Sequence, residues 1–153
     1  MRPAVRLTRQ DRGGFRLDGV ERAPIEASRD GDAFTIGGAA PFRVAWSDAE
    51  RGWILSVIGE SGEAGRTTAS ERDALAPTSL LLADGRLFRL AAVGASAPVV
   101  ELGRWDGPGA YVVARPVNGT WELTRTPAGE ALEVGPELWI LAAAEIGRMD
   151  GWW

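Results

Sequence analysis

Pro136-Glu137-Leu138-Trp139-Ile140-Leu141-Ala142-Ala143-Ala144-Glu145-Ile146-Gly147 is the stretch on which the fold turns. Proline stands in a first-turn position, an acid sits beside it, and glycine closes the run, the punctuation of a helix over about 136–147. The residues between have high helix propensity, including three consecutive alanines. Leu138 to Ala144 is apolar on every side, and the first polar residue after it is Glu145. A helix that is apolar all round must be buried all round. At 1.5 Å per residue it measures roughly 18 Å, too short for a bilayer and suited to threading a small barrel.

The rest of the chain supplies the wall. Gly and Pro make up about 19% of its 153 residues, against about 12% on average, and separate short apolar runs from end to end. The expected strands are Phe15–Leu17, Ala33–Ile36, Phe42–Trp46, Trp53–Ile58, Leu80–Ala83, Leu87–Val93, Val99–Leu102, Tyr111–Val117, Trp121–Thr126 and Ala131–Val134. Asn118-Gly119 favours a two-residue type I′ turn, which pairs Val117 with Thr120, Pro116 with Trp121, Arg115 with Glu122 and Ala114 with Leu123. That register puts Val112, Ala114, Trp121 and Leu123 on one face, and sends Pro116 to an outward or edge position. Asn118-Gly119-Thr120 also matches a glycosylation acceptor, and the turn reading takes precedence. Asp84-Gly85 reads as a second hairpin of the same kind. Ser61 to Thr78 reads as a long surface loop, with Thr68-Ala-Ser-Glu71 as a capping box for a short helix. The expected fold is a single domain over 1–153, mainly β. It is a closed or nearly closed antiparallel barrel of ten to twelve short strands around a buried C-terminal helix.

Composition narrows the chemistry by exclusion. The chain has no Cys and no His, and all 17 of its basic residues are Arg. Thiolate and histidine chemistry, Schiff bases and the P-loop lysine are therefore out of reach. No catalytic, cofactor-binding or metal-binding residues are assigned. Glu60/Glu63, Asp48/Glu50 and Glu130/Glu133 are acid pairs in expected turns, read as solvated. Asp30-Gly31-Asp32 starts like a Ca²⁺ loop but lacks the later carboxylates.

Net charge is −4, which speaks against nucleic acid and against strong binding to anionic membranes. Arg2, Arg6, Arg9, Arg12 and Arg16 make the first stretch locally basic, and it is expected to be a solvated segment. Met1-Arg2-Pro3 leads into mixed polar sequence unlike a signal peptide, so the expected location is cytoplasmic. The Arg-, Ala- and Gly-rich, Lys-free usage points to a GC-rich bacterial genome.

Of the seven tryptophans, Trp46, Trp53, Trp121 and Trp139 sit in apolar patterns and belong to the core. Trp105, in a Gly/Pro loop, and the pair Trp152 and Trp153 are the candidate ligand or partner contacts. The pair either folds back over the barrel mouth or offers a surface for a protein partner or self-association.

A many-stranded barrel with this helix at this place resembles the tubby-like superfamily, which includes LURP-one-related proteins and phospholipid scramblases. Leu141-Ala-Ala-Ala144, Ile146, Asp150 and Trp152-Trp153 fall in the order of the scramblase-like ending, although Gly147-Arg148-Met149 interrupts the apolar run before the Asp. The resemblance implies a barrel of about twelve strands and a non-enzymatic binding or scaffold role. A phosphoinositide-binding Lys-Arg set of the tubby kind has no counterpart here, since Lys is absent. A small-ligand barrel with a Trp-lined cavity is the alternative, and a carboxylate-dependent hydrolase the third reading. A cavity of several hundred Å³ inside the barrel would favour the alternative.

Overall fold

Alternation of one inward and one outward residue runs through the wall almost without a break, as a sheet buried on one face requires. The computed structural model describes residues 2–37, 41–49, 52–68, 77–93 and 99–153, with the backbone alone at 48, 49, 52, 53 and 68. The strands are β1 (Val5–Arg9), β2 (Phe15–Asp18), β3 (Ile25–Asp30), β4 (Ala33–Gly37), β5 (Arg43–Ala49) and β6 (Gly52–Gly59). They continue as β7 (Gly62–Thr68), β8 (Thr78–Leu82), β9 (Leu87–Val93), β10 (Val99–Arg104), β11 (Ala110–Val117) and β12 (Thr120–Arg125). A single turn, α1 (Pro127–Glu130), precedes the long helix α2 (Pro136–Met149).

Each strand is antiparallel to its neighbours in sequence, and β1 closes the barrel on β12 through Val5↔Leu123 to Thr8↔Thr120. Closure leaves no sheet edge to be protected. The β11–β12 hairpin has the expected register, and Asn118 (φ 50°) and Gly119 (φ 81°) form its left-handed turn. Pro116 is exposed, past Val100↔Ala114, the last described pair of β10 with β11.

Helix α2 fills the interior. Every residue from Leu138 to Arg148 is buried. Gly65 on β7 lets the helix approach the wall, since a Cβ there would lie 2.9 Å from Leu141 Cδ1. Trp121 and Trp139 are buried, Trp46 packs partly buried against the same core, and the side chain of Trp53 lies outside the described residues.

Several expectations are corrected. Residues 5–9 form a wall strand and not a solvated segment: Val5 and Leu7 face the core while Arg6 and Thr8 alternate outward. Strand β3 carries only Ile25 and Ala27 as core residues, too few to stand out among its polar neighbours. Gly62–Thr68, expected in a loop, is β7; its buried residues are Gly65 and Thr67, whose Oγ1 accepts a 3.0 Å bond from the Leu55 N–H. Most of the capping box lies outside the described residues.

Ala131–Val134 is not a strand. Thr126 ends the sheet by capping α1, its Oγ1 accepting from Gly129 N–H at 3.1 Å and donating to the Ala110 carbonyl at 2.6 Å. The β8–β9 connection is a three-residue loop and not the two-residue kind. Gly85 N–H donates to Leu82 O and Leu82 N–H to Arg86 O, with only Gly85 left-handed (φ 92°). Finally, α2 passes through Gly147 and ends two residues later.

Candidate functional site

The C-terminal end of α2 sets the first mouth of the barrel. Asp150 caps the helix, Gly151 turns left-handed (φ 76°), and Trp152 N–H donates to Gly147 O at 2.8 Å while Gly151 N–H donates to Arg148 O at 3.1 Å. That pair of bonds is a Schellman motif, and it throws the chain back over the helix end. Trp121 Nε1–H donates to Asp150 Oδ2 at 3.0 Å, pinning the cap to β12.

Trp152 is buried and Trp153 half-buried, its ring 4.9 Å from Phe34, 5.7 Å from Phe15 and 5.9 Å from Trp152. Gly151 makes the expected turn. Gly147 has a different role: a Cβ there would meet Trp153 Cη2 at 2.4 Å, so it supplies the flat seat on which the indoles lie. The Trp153 indole N–H is buried without a partner among the described residues.

Trp105 lies apart, 51% exposed, in the turn between β10 and β11 beside the Arg104–Asp106 ion pair. Leu81 of β8 faces Leu87 of β9, and Arg104 of β10 faces Phe88. Of the three candidate contact residues, Trp105 is the one whose indole is open to a partner.

The mouth at the N-terminal end of α2 holds an open cleft of about 600 Å³, lined by Arg2, Arg86 and residues 130–135. Glu130 and Glu133 both line it, yet Glu130 accepts from the Arg2 backbone N–H at 3.2 Å and the Glu133 carbonyl accepts from Arg86 at 2.7 Å. Beneath it, Arg125 lies 4.7 Å over the Trp139 ring; burial, then the nearby Arg2 charge, lowers its pKa. The enclosed space beside them is about 30 Å³, room for little more than a water. Glu60 stays in an exposed turn but Glu63, expected there too, is on the exposed face of β7; Asp30 and Asp32 flank Gly31 at an exposed hairpin tip, and the side chains of Asp48 and Glu50 lie outside the described residues.

One polar group escaped sequence reasoning. Glu145 is 1% exposed, accepts from Thr78 Oγ1–H at 2.7 Å, and is bridged by Arg148 at 2.5 Å. The only signal was an acid and a base three residues apart at the end of an apolar helix. Such a spacing reads equally as a solvated surface pair.

Geometry defines the class: an up-and-down β-barrel plugged by its own helix, with its accessible chemistry confined to two mouths and the outer wall. Compared with protein-family models, with curated proteins and with solved structures, the chain finds no match in any of the three. Among the described residues, no helix is long and apolar enough to cross a membrane.

Proposed function

We propose that the protein is a non-enzymatic binding or scaffold module, of the kind the tubby-like resemblance implies, acting in the cytoplasm. The observation that carries this reading is the occupied interior: α2 is buried from Leu138 to Arg148 and takes the space where a barrel would otherwise hold a small molecule. Expelling the helix to admit a ligand would cost the core itself, which works against the Trp-lined cavity. Of the acids lining the cleft at the N-terminal end of α2, Glu130 has its carboxylate held by Arg2, which works against a paired-carboxylate hydrolase.

Recognition then falls to the outside, where Trp105 is the most exposed large apolar side chain among the described residues. Aromatic anchors of this kind dominate protein interfaces. The test places a photo-crosslinking side chain at Trp105 or, as a control, at Thr124 on the outer face of β12. One discrete crosslinked partner from position 105, lost from Thr124, supports the reading. Equal or absent crosslinking at both positions refutes it. Trp105→Ala should leave stability within about 0.5 kcal/mol of wild type, as surface substitutions do.

A further inference from the structure

We propose that the mouth at the C-terminal end of α2 binds a compact phosphate-type oxyanion between Arg9, Arg12 and Arg29. The proposal goes beyond the Trp105 surface and does not depend on it.

The five arginines of the first stretch meet different fates. Arg2 pairs with Glu130 at 3.9 Å, Arg6 with Glu122 at 3.6 Å, and Arg16 with Asp18 at 3.0 Å and Glu26 at 3.3 Å. Arg9 and Arg12 stand without an ion pair among the described residues, and so does Arg29. Folding sets the Arg29 stem against the turn that carries Arg9 and Arg12, while the Arg29 Nε donates to the Gly31 carbonyl at 3.1 Å and its two terminal nitrogens have no partner among the described residues. Arg9 ends β1, Arg12 is in the following turn, and the Arg29 stem from β3 packs on that turn, its Cδ 3.3 Å from where a Gly13 Cβ would be. Arg9 and Arg12 line a cleft of about 320 Å³ with Gln10, Asp11 and Gly13. That is ample for a phosphate and a small group attached to it.

The backbone points the same way. Arg12 is left-handed (φ 64°, ψ 28°) and Gly13 follows at φ 83°. A bulky side chain is costly in that region, and strain of this kind concentrates at functional sites. Asp11 is helical and Arg12 left-handed. This is the succession that turns neighbouring N–H groups toward one side, as in anion-binding nests. Guanidinium forks match the oxygens of a phosphate in pairs. Asp11 shares the cleft, and Asp30 and Asp32 flank the neighbouring turn. Local charge is therefore nearly balanced, so the site selects by geometry. It favours a soluble phosphorylated molecule over an extended anionic surface.

The experiment is an NMR titration of the whole chain with inorganic phosphate and with pyrophosphate at low ionic strength. Saturable shifts confined to residues 9–13 and 29 are expected, with Kd of about 0.1–1 mM. Arg12→Gly relieves the left-handed strain and removes the guanidinium, so its unfolding midpoint should hold or rise while affinity falls at least ~5-fold. Arg29→Gln should weaken binding similarly, and Arg43→Gln should leave it unchanged.

Sedimentation with phosphatidic acid vesicles at about 0.15 M salt separates the sources. Protein is expected in the supernatant, whereas pelleting lost in Arg12→Gly would assign the same chemistry to a lipid headgroup. Shifts scattered over other arginines, no saturation with either anion, wild-type binding by both variants, or pelleting indifferent to Arg12→Gly would overturn the site.

Discussion

Replacing Gly147 by Ala sets two well-measured effects against each other inside the helix. Intrinsic propensity favours alanine by about 0.5–1 kcal/mol at a helix interior. Against this, the new methyl would stand 2.4 Å from Trp153 Cη2, 2.5 Å from its Cζ2 and 3.0 Å from Trp152 Cε3. Carbon atoms rest about 3.5–4.0 Å apart, so the Trp153 edge must retreat by roughly 1 Å or more. Phe15, Phe34 and Trp152 hold that ring on its other sides.

Overpacking of this sort costs about 1–3 kcal/mol, so the net loss should be about 0–2.5 kcal/mol. For a domain of this size that lowers the unfolding midpoint by up to about 10 °C. In a Trp153→Ala background the two shortest contacts vanish, and Gly147→Ala should become neutral or stabilising by up to about 1 kcal/mol. Thermal unfolding of the four proteins in the cycle measures the coupling. If Gly147→Ala stabilises the wild-type chain, or the two changes add within about 0.5 kcal/mol, the indole does not rest on Gly147.

Thr78→Val keeps shape but removes the hydroxyl that donates to the buried Glu145 carboxylate at 2.7 Å. The expected loss is about 1.5–3 kcal/mol, and an unchanged denaturation midpoint would count against the buried trio. Asp84 accepts from the Arg86 backbone N–H at 3.0 Å and from its Nε at 2.8 Å, and the backbone bond first, then the guanidinium, holds the carboxyl below its ordinary value. A depressed folded pKa gives stability that is present above the unfolded value and lost as pH falls through the folded one, here a slight amount because the pair is exposed. NMR titration should place the Asp84 midpoint below that of a free aspartate and move it upward in Arg86→Ala. A midpoint at or above the free value would contradict the contact.

What could be read from residues alone was what local rules control. The seven consecutive apolar residues from Leu138 demand enclosure whatever surrounds them, and Asn118-Gly119 admits one turn and hence one register for β11 and β12. Trp105 was legible as a loop residue for the same reason, its glycine and proline neighbours.

What tertiary structure decided were the positions whose role depends on distant partners. Strand β7 carries glycine and threonine inward because Leu141 and the Leu55 N–H meet it there, and neither is visible from Gly62–Thr68. Glu145 is buried because Thr78, 67 residues away, comes to its carboxylate. The β8–β9 loop is also tied to a distant strand, Ala83 N–H donating to the Ala64 carbonyl of β7, a bond that lies outside the hairpin. Likewise the N-terminal arginines differ only in which wall they face and whether an acid stands opposite. Periodicity reports which side of an element is apolar, and closure of the barrel determines what each side finds.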